Sequence, residues 1–391
     1  NPYQDNAAIY TMDDNHIPFK ILNGNPGYIN LLDAINSWLL VVEVEKTIGK
    51  TAASSFKHTS PAGVAISNGQ ISDIEKKIYD IESYDLSNSP TAEAFIKARN
   101  SDPLSSFGDF ISISGIVDVT CARLISREVS DGIIARGYTP EAFQILKAKK
   151  KSNYIILEGQ FDYHYKDVEF REIMGFGLSQ RANSCMITDE DLKNIVTNTK
   201  SVEWDEVKTD LILATITLKY TPSNSIAISQ GGVVIGVGAG QQNRVDCIKL
   251  AGKKSLVWRL RRHPKVLELY SKFKDGIKRQ DKNNAITKYI NGNFSDIELA
   301  QWMELFTQKI ELMEEPEKEI YLNVSGLSLS NSISLSSDAF MAFRDNVDNA
   351  VKFNVKNIIQ PGGSVGDDKV IEACNQYGIF MVFSGKRLFL H

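Results

Sequence analysis

Cysteine, histidine and uncompensated charge are all scarce in this 391-residue chain. Four cysteines (Cys121, Cys185, Cys247, Cys374) are scattered with no C-x-x-C pair, so they read as buried thiols rather than a disulfide framework. Five histidines (His16, His58, His164, His263, His391) are equally dispersed, and no H-x-E precedes a P-C-x-x-C. A zinc deaminase site is therefore excluded, and no metal centre is expected. The 44 Lys and Arg against 48 Asp and Glu leave a net charge of −4, which argues against a nucleic-acid binder that works by neutralising phosphates. No apolar run reaches the ~18–20 residues of a membrane span, and no signal-like segment opens the chain. The expectation is a soluble, cytoplasmic protein with no membrane partner.

What is present is 42% hydrophobic residues, enough to fill the cores of two or three compact domains. Short apolar segments alternate with helical patterns, which predicts an α/β architecture. Ile29, Leu32, Ile35, Leu39, Leu40 and Val42 fall at helical spacing. Ala52–Phe56 and Gly63–Ser67 read as strands. Residues 141–150 predict a helix ending in a lysine run, Lys147 to Lys151, read as a solvated C-terminus favoured by the helix dipole. Residues 151–190 have few apolar runs, and Asp189-Glu190-Asp191 opens a polar helix start, so a boundary between halves is placed there. The stretch 308–319 reads as an exposed connection or helix start.

An internal repeat is visible. Lys57-His-Thr-Ser-Pro-Ala-Gly-Val-Ala-Ile-Ser67 aligns without gaps with Lys219-Tyr-Thr-Pro-Ser-Asn-Ser-Ile-Ala-Ile-Ser229. A weaker echo pairs Ser105–Phe110 with Ser336–Phe340. The expectation is two related units, each with a Lys-led turn at a strand end, where open sheets build sites. Lys57-His58 can supply a cation for an oxyanion and a general base, although such a pair is equally at home on a plain surface. Gly236–Arg244 follows an apolar strand and precedes a helical pattern; it departs from G-x-G-x-x-G at Gln241 and lacks a Walker G-K-[ST]. It is either an ordinary strand-to-helix turn or an anion site, with Arg244 available for a phosphate. The ending Gly385–His391 carries apolar residues and two cations, as a docked tail or a packed strand would.

Taken together, Leu22-Asn-Gly, Pro26-Gly-Tyr-Ile-Asn30, Ser55-Phe-Lys-His58, Ser60-Pro-Ala-Gly63, Ser105–Phe110, Ile125–Ile134, Lys219-Tyr-Thr, Ser223-Asn-Ser225, Gly238–Gln242, Phe343–Asp348 and Arg387-Leu-Phe389 resemble the 5-aminoimidazole-4-carboxamide ribonucleotide (AICAR) transformylase family along the whole chain. The resemblance implies two cytidine-deaminase-like α/β units without zinc, over residues 1–185 and 186–391 with segments free to interleave. It implies formyl transfer from 10-formyltetrahydrofolate to the 5-amino group of AICAR. Lys57 would polarise the formyl oxygen and His58 would accept the amine proton, with Asn224 and Asp131 holding the reacting groups. Phe107, Gly108, Phe340, Arg387 and Phe389 match positions that cradle the nucleotide. Arg244 matches a contact made across a homodimer interface. Val245, Asn284, Ala342, Phe343 and Asp345 fall where the folate lies, Ala342 standing in place of a usual Pro.

The resemblance also allows potassium near Thr221, Ser223, Ser225 and Asp338, with Leu390 replacing a His of the common ending. The family has a cation-Tyr-Gly just before its Asn-Pro segment, whereas this sequence begins at Asn1-Pro2. With no upstream cyclohydrolase segment in the sequence, a stand-alone transformylase without ring closure is expected. The alternative is a nucleotide-binding regulator that kept the fold and lost turnover.

Overall fold

A computed structural model describes residues 4, 7–10, 17–162, 167–199, 204–325 and 333–391; Asn1, Pro2, His16 and His164 lie outside them. The first half runs β1 (Phe19–Asn23), α1 (Tyr28–Ile48), β2 (Ala52–Lys57), β3 (Ser60–Ile66), α2 (Asp73–Tyr79), α3 (Pro90–Arg99), β4 (Asp109–Val117), α4 (Val119–Ser126), β5 (Ser130–Tyr138), α5 (Pro140–Lys147) and β6 (Ile155–Gly159). A separate hairpin follows, β7 (Val168–Ile173) and β8 (Phe176–Arg181). The second half runs α6 (Trp204–Lys219), β9 (Ile226–Gln230), β10 (Val233–Gly238), α7 (Arg244–Leu260), α8 (Pro264–Leu269), α9 (Arg279–Asn291), α10 (Asp296–Met303), α11 (Glu315–Ser325), β11 (Ile333–Ser337), α12 (Asp345–Val351), β12 (Val355–Gln360), α13 (Asp367–Tyr377) and β13 (Phe380–Phe383).

Among the described residues eleven strands form one sheet in the order β1-β6-β5-β4-β2-β3-β10-β9-β11-β12-β13. In the first half β2 pairs antiparallel with β3 and β4, and β4, β5 and β6 run parallel. In the second, β9 pairs antiparallel with β10 and β11, and β11, β12 and β13 run parallel. The halves meet where β3 and β10 pair antiparallel. The order is therefore a palindrome about that seam, and the α/β duplication expected from the sequence is present as topology.

Both sheet faces are covered. On one face Ala53, Ile111, Ile133, Ile228, Leu335 and Ile358 join buried side chains of α3, α4, α7, α12 and α13. On the other Phe56, Val64, Phe110, Ala227, Val234 and Ile359 pack against α1 and α6. Alternate residues of one strand thus enter two different cores, so the strands read as nearly continuous apolar runs. Helix starts follow local chemistry. Ser89 and Thr139 cap α3 and α5 ahead of Pro90 and Pro140 at the first helical positions, and Asn243 caps α7. Helices α8–α11 form an insertion with a core of its own around Tyr289, Trp302 and Phe306.

Three sequence expectations need correction. The aligned repeat is out of register: Leu211–Leu218 lies inside helix α6, so Lys219 ends a helix and not a strand. The alignment superposes β3 on β9, whereas pairing makes β2 the counterpart of β9. Lys219 is buried against Glu43 of α1 at 2.7 Å, where Tyr220 also donates to the same carboxylate. The Ser105–Phe110 echo fails as well, because it enters β4 whereas Ser336–Phe340 leaves β11. The lysine run is not simply a solvated helix end. Lys149 donates to the carbonyls of Ile125, Ser126 and Glu128 at the close of α4, and burial pulls its ammonium down to about 8.

Candidate active site

Lys57 and Ser60 pair across a two-residue turn, His58-Thr59, in which both central residues take positive φ (53° and 57°). This geometry matches the twist of the hairpin strands and favours Gly or Asn, so His and Thr there are strained. A buried carboxylate holds the turn: Asp33, within α1, accepts from the Thr59 N–H at 2.7 Å. Burial pushes the Asp33 carboxyl above its usual range, against the opposing pull of the Thr59 N–H and of His58, while Asp131 adds to the rise. Asp33, His58 and Asp131 therefore share one electrostatic neighbourhood.

Lys57 Nζ donates to the Phe107 carbonyl at 2.6 Å, which leaves ammonium protons for another acceptor. The loop bearing Phe107 is fixed from beneath: Ser55 Oγ donates to Asp109 at 2.5 Å and meets Ser106 Oγ at 2.7 Å, and Asp109 pairs with the buried Arg99 at 2.5 Å. Gly108 sits at φ +76° with the Lys57 ammonium 3.9 Å from where a Cβ would stand. Asp131, second residue of β5, pairs with Lys150 at 2.9 Å and lies 3.4 Å from Asn30 Nδ2. Lys57 and His58 line a cavity of about 320 Å³ with Ser105 and with Lys254, a residue of α7 in the second half.

A second cluster forms at the start of β9 and the ends of β10 and β11. The Asn224 amide donates to the Gln241 carbonyl at 3.1 Å and accepts from Arg244 at 3.0 Å. Arg244 also pairs with the buried Asp338 at 2.8 Å and donates to the Phe340 carbonyl at 3.2 Å. Asn224, Arg244, Val245, Phe340, Ala342, Phe343 and Asp345 line a common cavity of about 560 Å³. The Arg387 guanidinium lies 5.1 Å over the Phe340 ring. The tail is docked: Leu388 donates to Asp338 O at 2.8 Å and Leu390 O accepts from Ser223 N at 3.0 Å, which places the exposed Phe389 between two anchored residues.

The palindromic order brings the two clusters to one end of the sheet. The carboxyl ends of β2, β10 and β11 lie there with the amino ends of β3, β4, β5 and β9. Lys57 and Asn224 are three strand spacings apart, about 14 Å laterally. Asn284 joins neither cluster: it is exposed on α9, accepting from Gln280 at 3.0 Å. Sequence reasoning missed Asp33, Ser105, Lys150 and Lys254. For Asp33 a signal existed, an acidic residue inside the apolar run Leu31-Leu-Asp-Ala-Ile35.

Among the described residues no group of three or more His, Cys, Asp or Glu is placed to hold a metal ion. Of the four residues considered for potassium, Ser225 Oγ is buried without a partner. Thr221 donates to Thr217 O, however, Ser223 donates to Asp338, and the Asp338 charge is matched by Arg244. A hydroxyl that donates its proton keeps its lone pairs, so Thr221, Ser223 and Ser225 still present oxygens of the kind a hard cation takes; no chemistry is derived through one.

Fold and site together define a class: a duplicated α/β protein that gathers a Lys-His turn and an Asn-Arg pocket at one sheet end. The chain belongs to the family described as the AICARFT/IMPCHase bienzyme, whose profile matches residues 1–254. It is 28% identical over 397 residues to the bifunctional purine biosynthesis protein PurH of Persephonella marina, covering 100% of this chain and 58% of that protein. It is 29% identical over 392 residues to the protein of that name from Leptospira biflexa (100% and 57%), and 28% identical over 374 residues to that of Petrotoga mobilis (95% and 53%). The chain thus spans little more than half the length of these curated relatives.

Proposed function

We propose that this chain acts in purine biosynthesis as a formyltransferase, moving the formyl group of 10-formyltetrahydrofolate to the 5-amino group of AICAR. The observation that carries this reading is the Lys57-His58 turn, held in a strained conformation by Asp33 beside the fixed Phe107–Gly108 loop. The AICAR amine attacks the formyl carbon and a C–N bond forms. The carbonyl electron pair moves onto oxygen, where the Lys57 ammonium meets it, and His58 takes the amine proton. Collapse breaks the bond to folate N10, which leaves with a proton as tetrahydrofolate. The amine is a poor nucleophile, its lone pair spread into the ring, so positioning and a general base have much to supply.

Asp131 and Asn224 hold the reacting groups, and Phe107, Gly108, Phe340, Arg387 and Phe389 cradle the nucleotide. Val245, Ala342, Phe343 and Asp345 form the folate wall, a reading supported by their shared cavity; Asn284 has no part in it within one chain. We read the halves as cytidine-deaminase-like units, 1–185 and 186–391. We also propose a homodimer, because each cluster is only part of a site. The β7–β8 ribbon, with Val168, Phe170, Ile173, Phe176 and Leu178 exposed, has too little apolar cover for an isolated two-stranded sheet. Among the described residues no helix is long and apolar enough to cross a membrane.

Single-turnover formyl transfer tests the assignment. Lys57→Met and His58→Ala each lower the rate by about 10²–10³-fold while nucleotide titration stays near wild type. Rates within twofold of wild type in both variants overturn it, and nucleotide binding by a wild type without turnover favours a regulator. Accumulation of the formamido nucleotide, against inosine monophosphate, separates formyl transfer from ring closure. Mixing Arg244→Ala and Lys57→Ala subunits restores partial activity if sites are shared across a dimer.

A further inference from the structure

A single peptide unit holds Lys57 to the rest of the fold. The Phe107 carbonyl accepts from Lys57 Nζ at 2.6 Å, and the Gly108 N–H, on the same peptide plane, donates to the Val129 carbonyl at 2.9 Å. A peptide plane is rigid. Whatever sets the Val129 carbonyl therefore also sets the oxygen on which the Lys57 ammonium rests.

Arg99 of α3 grips this unit from two sides. Its guanidinium donates to the Val129 carbonyl at 3.0 Å and to Asp109, the residue after Gly108, at 2.5 Å. Its Nε lies 3.1 Å from the Glu128 carboxylate. A planar fork engaged on three edges has little freedom to turn. Burial pushes the Glu128 carboxyl up, but Arg99, Arg279 and Arg127 outweigh burial and hold it below its usual range. The side chains of Arg99 and Glu128 are only 5% and 10% exposed, so solvent and salt screen this pairing weakly.

The outer end of the ladder belongs to the insertion. Arg279 opens α9, and its Nε lies 2.9 Å from Glu128. The same guanidinium donates to the Tyr79 carbonyl at 2.9 Å and to Asp80 at 3.1 Å, where α2 closes. Because α8–α11 pack around a core of their own, Arg279 carries the position of that body to Glu128.

We propose that Arg279 is a positioning residue: through Glu128 and Arg99 it sets the Phe107–Gly108 peptide, and with it the aim of the Lys57 ammonium. Docking of the insertion is thereby felt at the reacting end of the sheet. The activity readout rests on the formyl-transfer reading; the chain of contacts does not.

Single-turnover formyl transfer and amide hydrogen exchange at Gly108, both on the full chain, test this. Arg279→Ala is expected to lower the rate at saturating nucleotide by about tenfold, with half-saturation shifted less than about twofold. Gly108 exchange speeds up by about tenfold while amides in the middle of β4 and β5 keep wild-type protection. Arg279→Lys retains the charge beside Glu128 and recovers part of both changes. Lys265→Ala removes an ion pair within the insertion, to Glu317 at 2.6 Å, and leaves rate and Gly108 exchange at wild-type values. Wild-type Gly108 exchange in Arg279→Ala overturns the proposal, and so does an unchanged rate where the wild type transfers formyl. Faster exchange throughout β4 and β5, or an equal change in Lys265→Ala, marks a merely structural role and overturns it too. A wild type without formyl transfer defeats the activity reading alone, because Gly108 exchange in the three variants still decides whether Arg279 sets the peptide.

Discussion

The hairpin turns His58-Thr59, between β2 and β3, and Gly231-Gly232, between β9 and β10, share a frame and differ in what they carry. Each joins two antiparallel strands through two residues of positive φ, and each is anchored by a buried aspartate of the helix that precedes it, Asp33 or Asp210. At Gly231-Gly232 the geometry costs little, because glycine has no Cβ to clash. At His58-Thr59 it costs about 1 kcal/mol or more per residue. The strain is retained at the end of the sheet where Lys57, Phe107 and Asp131 gather, and is absent at the end where only Gln230 marks the turn. Strain by itself identifies no function; strain at one of two equivalent positions singles out which of them to test.

The comparison breaks most visibly at the anchors. Asp33→Ala frees the turn that aims His58, so formyl transfer is expected to fall by roughly 10²-fold, with nucleotide titration little changed. Asp210→Ala, measured by denaturant unfolding, should instead cost about 2–4 kcal/mol of stability through two stranded N–H groups, with turnover within twofold of wild type. A turnover loss of equal size in both variants would mean that the aspartates serve the fold alike and the ends are not specialised.

A second distinction lies in pH. Burial pushes the Asp210 carboxyl up to about 7, against the pull of the two glycine N–H groups. The folded state then holds a proton that the unfolded chain releases near 4, so this group's contribution is full below pH 4 and is lost as pH rises through 7. Relative to Asp210→Asn, the wild type should lose on the order of 4 kcal/mol between pH 4 and pH 8, read from urea midpoints at each pH. A difference that stays flat across this window, or grows in favour of the wild type, contradicts the assignment.

The smallest effects come from exchanging the turn residues themselves. A Cβ on Gly232 would stand 2.9 Å from Ile66 Cγ1 at φ +78°, so Gly232→Ala should cost about 1–3 kcal/mol. Thr59→Gly removes a branched side chain from positive φ and should stabilise by up to about 1 kcal/mol. Thermal melting of the two variants checks both signs. Destabilisation by Thr59→Gly would show that the threonine side chain has contacts that outweigh its backbone strain.

Much of this was legible in the chain itself. The helical spacing from Ile29 to Val42 became α1, and the apolar stretch before Gly236 became β10 leading into α7. The candidate residues drawn from the motifs fell into two clusters, with Asn284 the exception. The register of the repeat was not legible. Helix α6 is buried almost all round between the sheet and α1, so Leu211–Leu218 shows no polar face, and a continuous apolar run reads equally as strand or helix. The lysine run misled for a related reason: its charge pattern suits a solvated end, yet Lys149 satisfies carbonyls of a different helix.

The sequence by itself placed Lys57-His58 at a turn after an apolar strand and Gly236–Arg244 between a strand and a helix, but not the positive φ of His58-Thr59 or the aspartates that anchor the two hairpins. Only the tertiary structure decided which strand lies beside which. The sense of a strand is set by backbone hydrogen bonds to distant partners, and local side-chain pattern carries little of that information. Because β3 and β10 pair antiparallel across the seam, the amino ends of β4 and β5 came to share a sheet end with the carboxyl end of β11. That pairing brought Lys57 and Asn224 to one end of the molecule and sent Gln230 to the other.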